Sequence, residues 1–185
     1  MKNEERAEKI VREILRQSKN RNRFIVAIDG RCASGKTTVS EIIKKKTDCT
    51  LFHMDDFFLR PEQRTRERLE TPGGNVDYER FNTEIMKPLR SGEKLISYKP
   101  YSCREGKLKE TVSVNAGRIV IVEGAYSCHP QIRNNYDFRI FFSISHEEQM
   151  KRIIKRNGEE AAKVFAERWI PMEETYFRAY NIAEE

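Results

Sequence analysis

The run FIVAID at 24–29 leads directly into Gly30-Arg-Cys-Ala-Ser-Gly35-Lys36-Thr37, a fit to the pattern GxxxxGK[ST]. No other feature of the chain restricts its fold as much. Glycines let the backbone curl so that its N–H groups converge on phosphate oxygens. Lys36 brings a cation to the outer phosphates, and the Thr37 hydroxyl reaches a magnesium ion. The helix expected from about Lys36 to Lys46 starts at this loop and aims its positive end at the same anion. Average residue frequencies put a chance match at a probability on the order of one per cent. The position between a strand-like and a helix-like run lowers it further, so the segment reads as a nucleoside triphosphate site rather than an ordinary glycine turn. The motif by itself does not separate a kinase from a GTPase, a helicase or a motor.

The surrounding patterns predict the rest of the architecture. A continuous apolar run of strand length is what a parallel strand covered on both faces looks like. FIVAID, TLFHMD (50–55), RIVIVEG (118–124) and DFRIFFSIS (137–145) all have that texture. Between them lie helical patterns. Residues 4–18 set Ala7, Ile10, Val11, Ile14 and Leu15 on one stripe, an amphipathic helix expected to lie on the sheet, with a dimer contact as the alternative. HEEQMKRIIKRN (146–157) is a helix, and 159–180 is a second one that Pro171 is expected to kink or split. Residues 56–110 hold Pro61, Pro72, Gly73, Gly74, Pro88 and Pro100, and read as an excursion with a helix near 78–90 and a small hairpin near 94–113. Strands alternating with helices imply a doubly wound α/β fold with a mostly parallel sheet, whose ligands sit at the carboxyl ends of the strands.

Composition narrows the partners. Of 185 residues, 35 are Lys or Arg and 29 Asp or Glu, a formal charge of +6, with 38% hydrophobic. The apolar residues fall in blocks able to build a core, which excludes disorder throughout. No apolar run approaches the roughly 18 residues of a membrane span. The N-terminus has no signal-peptide core, and the four scattered cysteines fit no CxxC site, so a cytoplasmic protein with reduced thiols is expected. A surplus of six charges favours a small phosphate-bearing ligand over nucleic acid. A nucleotide-binding regulator or RNA-associated NTPase is the rival class, but no aromatic-studded basic strand is present to stack bases.

Acids stand where chemistry would need them. Asp55 and Asp56 follow the second strand, at the sheet edge where the first strand delivers the phosphate loop. An aspartate here can take a proton from an attacking hydroxyl or help hold magnesium; Asp56 alternatively caps a turn. Glu123 closes the IVIVEG strand at the same edge and has the place of a metal-linked acid, or of an ordinary strand-end glutamate. Arg152 and Arg156 are four apart, share one helix face and can converge on one anion or face solvent. Arg168 is a further candidate of the same kind. His53, His129 and His146 share no metal-ligand spacing and read as structural or exposed, Trp169 as a core or kink anchor, and Cys32 as packing against the sheet.

Together these residues resemble the uridine kinase and phosphoribulokinase group of P-loop kinases, which includes the nicotinamide riboside and pantothenate kinases. GRCASGKT, HMDDFFL, GGNVDYERF, YKPYSC, IVIVEG and an Arg-bearing helix come in the group's order, from Phe24 to about Tyr180. The resemblance implies a three-layer P-loop NTPase sandwich over 1–185, with a substrate-side insertion at about 56–113 and a lid at about 147–170. It implies that Gly30, Ala33, Ser34, Gly35, Lys36, Thr37 and Thr38 bind ATP and Mg2+. Thr37, Asp55 and Glu123 would meet the metal, and Asp55 would draw the proton from a primary hydroxyl. Asp77 would bond the ribose diol, Tyr98 would lie beside the base, and Arg152 and Arg156 would stabilise charge with Lys36. On the residues alone, Asp77 equally caps the helix starting at Tyr78 and Tyr98 equally packs in the hairpin. Cys103 stands where uridine kinases carry a pyrimidine-binding histidine, and Gln149 where the group often has a ribose-contacting arginine. The acceptor implied is uridine or cytidine; nicotinamide riboside, pantothenate and glycerate are the alternatives.

Overall fold

A computed structural model describes residues 2–183. The chain begins with α1 (Lys2–Gln17), then β1 (Phe24–Gly30), α2 (Lys36–Thr47) and β2 (Thr50–His53). The excursion follows, with the short helices α3 (Arg66–Glu70), α4 (Tyr78–Phe81) and α5 (Lys87–Ser91), the last two joined through a π turn at Asn82–Met86. It continues through β3 (Leu95–Tyr98), β4 (Tyr101–Ser102), β5 (Lys107–Leu108) and β6 (Val112–Asn115). Then come β7 (Ile119–Glu123), β8 (Phe138–Phe142), α6 (His146–Asn157), α7 (Glu159–Val164) and α8 (Ile170–Tyr180).

The four apolar runs form one sheet in the order β2-β7-β1-β8, with every pair parallel. Alternation along β1 sends side chains to two cores. Phe24, Val26 and Ile28 meet Ala7 and Ile14 of α1 and Val39 and Ile43 of α2. Ile25 and Ala27 face the other side, with Phe81, Leu89, Tyr176 and Phe177. Burial on both faces explains why these strands read as unbroken apolar runs, and the result is the expected three-layer P-loop NTPase-like α/β fold. The hairpin is β3 against β6 in antiparallel register, with β4 and β5 as a smaller pair inside it.

Two elements differ from expectation. β2 stops at His53, because Met54–Phe57 coils into a 3₁₀ turn that swings the two aspartates off the strand. The helical stretch 159–180 is not split at Pro171. A π turn at Phe165–Trp169 precedes the proline, so the wider turn absorbs the missing N–H and the chain stays helical.

Two glycines are fixed by close approach. Gly30, at φ 134°, ends β1 against β8, where a Cβ would lie 2.1 Å from the Phe142 carbonyl oxygen. Gly124, at φ 141°, follows Glu123, and a Cβ there would come within 2.8 Å of Met54 Cβ. That contact sets the Met54–Asp55 turn against the end of β7.

Candidate active site

Strand order decides which side chains meet. β2, β7 and β1 are neighbours, and all three end at one edge. His53 and Glu123 are register partners there. Glu123 is buried, and its two carboxylate oxygens each lie 3.2 Å from Thr37 Oγ1, which donates to them. The His53 Nδ1 is 2.6 Å from Glu123 Oε1. The phosphate loop, the acid of β7 and the turn after β2 thus close on one point.

The phosphate loop is held from several sides. Asp29, fully buried, accepts from the N–H groups of Gly30, Tyr126 and Cys128 and from the Tyr176 hydroxyl, at 2.6 to 3.1 Å. It ties β1, the segment after β7 and α8 together under the loop. The Arg31 guanidinium donates twice to Glu174 of α8, at 2.5 and 3.0 Å. The Cys32 N–H donates to Glu173 Oε2 at 2.9 Å, and Gln149 of α6 donates to the Cys32 carbonyl oxygen at 3.1 Å. Ala33 takes φ 58° and Gly35 φ 96°, a backbone curl of the kind that gathers N–H groups around an anion at the start of α2. Lys36 Nζ donates to the carbonyl oxygens of Gly30 and Arg31 at 2.7 and 2.9 Å. Ser34 Oγ is buried with no hydrogen-bond partner among the described residues. The concave loop, the cation and this orphaned hydroxyl fit a phosphate chain.

A cavity of about 670 Å³ opens over the loop, a size suited to a nucleotide with a small second ligand. Of the residues expected from sequence, Ala33, Gly35, Lys36, Thr37, Thr38, Asp55, Glu123, Arg152 and Arg156 line it. Arg152 also donates to the Ala33 carbonyl oxygen at 3.2 Å and is held by Glu148 at 2.8 Å. Gly30, Ser34, Asp77 and Tyr98 are not among the lining residues. Asp77 is buried and committed elsewhere: Oδ1 accepts from the Arg80 N–H at 3.0 Å as the cap of α4, and Oδ2 accepts from Gln63 Nε2 at 2.8 Å. Tyr98 packs between Phe52 and Phe57, and its hydroxyl donates to Asp56 Oδ2 at 3.2 Å. Arg168 lies over the Trp169 ring on a separate groove beside α3.

Four cations, Lys36, Arg64, Arg152 and Arg156, and three acids, Asp55, Glu123 and Glu173, line the cavity. The Asp55 carboxyl opens to the cavity yet is walled by protein, and this burial, with Glu123 nearby, raises its pKa. His53 is raised by its bond to Glu123. Glu173, also on the cavity, is pushed up by burial to about 7. The donors facing one another, the Thr37 hydroxyl and the Glu123 and Asp55 carboxylates, are hard oxygens of the sort magnesium takes. No group of three or more His, Cys, Asp or Glu arranged to hold a metal occurs among the described residues, so such an ion would need phosphate oxygens and water as well.

Several sequence expectations are corrected here. His53, read as structural or exposed, is half-exposed and bonds Glu123, a partner the sequence did not indicate, because the parallel register of β2 and β7 sets the two side by side. His129 is structural as expected, stacked between Tyr78 and Tyr176. Trp169 is half-buried and faces the cavity rather than the core, because the π turn rotates it outward. Cys32 sits against Gln149 and Glu173, not the sheet; burial and then Glu173 push its thiol up to about 12, so it is a neutral thiol. Gln149 is buried behind the loop and does not line the cavity. Sequence reasoning missed Asp29, Arg64, Tyr126 and Glu173. Only Asp29 left a signal, as an acid ending an otherwise apolar strand.

Comparison with known proteins agrees with this geometry. No protein-family model matches the chain. Uridine kinase-like protein 5 of Arabidopsis thaliana is 29% identical over 151 residues, covering 76% of this chain and 32% of that protein. The chain therefore spans about a third of the length of that relative. Among solved structures, a possible uridine kinase from Bacillus stearothermophilus superposes with a TM-score of 0.77 at 19% identity, over 100% of this chain and 97% of that one. The D-glycerate 3-kinase of Cryptococcus neoformans superposes with a TM-score of 0.60 at 14% identity, over 91% and 87% of the two chains. At those identities the two structures speak for the fold alone. In sequence and in fold, this chain is similar to the uridine kinase-like P-loop kinases.

Proposed function

We propose that the chain is an ATP-dependent kinase that transfers the γ-phosphoryl group to a primary hydroxyl of a small molecule, with uridine or cytidine as the first acceptors to consider. The observation that carries this reading is that Asp55 and the phosphate loop open onto one cavity. Phosphoryl transfer asks for in-line positioning and charge stabilisation more than for covalent chemistry. Asp55 is the general base: its carboxyl opens onto the cavity beside the phosphate loop, within reach of a bound hydroxyl, and the surrounding protein and Glu123 raise its pKa. Lys36 exchanges its backbone carbonyls for phosphate oxygens. Arg152 and Arg156 approach from α6, with Arg152 against the phosphate loop, and offset the charge of the moving phosphoryl group. Magnesium, when bound through Thr37, Glu123 and Asp55, would screen the phosphate charge.

Another metabolite hydroxyl, such as that of nicotinamide riboside, pantothenate or glycerate, is the second reading. It is favoured by the placement of Asp77 and Tyr98, neither of which lines the cavity. The test is magnesium-dependent release of ADP from ATP against uridine, cytidine, nicotinamide riboside, pantothenate and glycerate, with Asp55→Asn as control. Turnover with any of them, lost in the variant, supports the kinase. ATP binding with silence across the panel counts against it.

A further inference from the structure

The acceptor end of the cavity holds a cation that the proposed chemistry does not use. Arg64 follows the 3₁₀ turn Pro61–Gln63 and lines the same cavity as Asp55. Its Nε donates to the Leu59 carbonyl oxygen at 3.0 Å and its Nη2 to the Tyr101 hydroxyl at 3.2 Å, with the guanidinium 5.9 Å from the Tyr101 ring centroid. Arg64 is exposed, yet it is fixed at two points to neutral acceptors on the cavity wall.

Its neighbours make the contrast. Arg60 pairs with Glu62 at 3.1 Å, Arg66 with Glu70 at 2.7 Å, Arg68 with Glu79 at 2.7 Å and Arg80 with Glu84 at 3.2 Å. Arg64 alone of these has no carboxylate in ion-pair range among the described residues. Nor is it spent on the base, since the cations acting most on Asp55 are Lys36 and His53. Cys103 lines the same cavity as Asp55 and Arg64. It is exposed, and its neutral thiol presents no charge to repel an anion.

We propose that Arg64 is the acceptor-anchoring residue, and that the acceptor is a small hydroxyl-bearing oxyanion whose carboxylate or phosphate meets the Arg64 guanidinium while its hydroxyl meets Asp55. A guanidinium whose orientation is already fixed loses little entropy on binding and offers parallel N–H donors that match either anion. This inference rests on the kinase reading and narrows its acceptor.

The test is calorimetric titration of the protein loaded with ADP and magnesium. The carboxylate arm uses glycerate and pantothenate, the phosphate arm ribose 5-phosphate, and the neutral arm uridine and glycerol. At least one anion is expected to bind at least tenfold more tightly than the neutral compounds. Arg64→Gln should weaken that anion about tenfold or more, and Arg64→Lys should recover part of the loss. ADP affinity in each variant checks that the site is folded. Binding confined to neutral compounds, no binding in any arm, or equal anion affinity in Arg64→Gln overturns the inference and leaves the kinase reading standing. Failure of the wild-type protein to bind ADP overturns both.

Discussion

His53 Nδ1 lies 2.6 Å from Glu123 Oε1, and the two residues are register partners at the carboxyl ends of adjacent parallel strands. Glu123 also accepts from Thr37, so its carboxylate is oriented from two sides. A carboxylate held this way keeps its geometry towards a metal, and partners of this kind are worth about 10- to 100-fold in metal affinity. His53→Ala is therefore expected to raise the magnesium concentration needed for half-maximal ADP release by about tenfold. Binding of ADP without magnesium should be unchanged. An unaltered magnesium titration would remove His53 from this role.

Asp55→Asn is nearly isosteric, so it should leave the cavity and ADP affinity in place while taking away the proton acceptor. A positioned base is worth about 10² to 10⁴ in rate, and kcat should fall by that amount. Steady-state turnover beside ADP binding decides this, and near-normal kcat would reject Asp55 as the base.

Asp29 is a structural counterpart of Asp55. Its buried carboxylate satisfies three backbone N–H groups and the Tyr176 hydroxyl. Each donor left unpaired costs about 1–3 kcal/mol. Asp29→Ala is thus expected to lose about 4 kcal/mol or more, a large part of the roughly 5–15 kcal/mol typical of a domain. Asp29→Asn should lose less, because the amide oxygen still accepts. Urea unfolding of the two variants measures the difference, and a loss under about 1 kcal/mol for Asp29→Ala would contradict the assigned bonds.

Two buried groups give opposing pH dependences. Glu173 is raised from 4.5 to about 7, chiefly by burial. Between those values the folded protein keeps a proton that the unfolded chain releases, so this group lowers stability as pH rises. His129 is lowered from 6.5 to about 4, by burial and then Arg68. Between pH 4 and 6.5 the unfolded chain binds a proton that the folded protein refuses, so this group raises stability with pH. Each is worth about 3 kcal/mol, and over their shared window they offset one another. Glu173→Gln removes the Glu173 contribution, so the variant should gain about 3 kcal/mol on the wild type as pH rises from about 4.5 to 7. Denaturant midpoints across pH test this; parallel curves for the two proteins would refute it.

Sheet strands and helices are legible in the sequence because their signals are local. Ile119–Glu123 is apolar at every position but the last, and both its faces are covered. The helix at His146–Asn157 starts where Ser145 caps it, its Oγ accepting from the Glu148 N–H. The end of β2 is not legible in the same way. MDD continues the strand-like texture of TLFH, while the 3₁₀ turn depends on packing against Gly124, which is distant in the chain.

The phosphate loop, Asp55 and Glu123 were determined by sequence alone, since the loop is a contiguous motif and the acids sit at strand ends that local texture marks. Tertiary structure alone decided which side chains share the cavity. It brought His53 to Glu123 through strand register, set Glu173 of α8 against the Cys32 N–H, and turned Asp77 and Tyr98 away into hydrogen bonds with Gln63 and Asp56. It also left Arg64 facing Asp55's cavity with no acid of its own among the described residues. The physical reason is the same in each case. A hydrogen bond or ion pair depends on where two backbones meet, and partners 70 positions apart, as His53 and Glu123 are, or 141 apart, as Cys32 and Glu173 are, carry no local trace of their meeting.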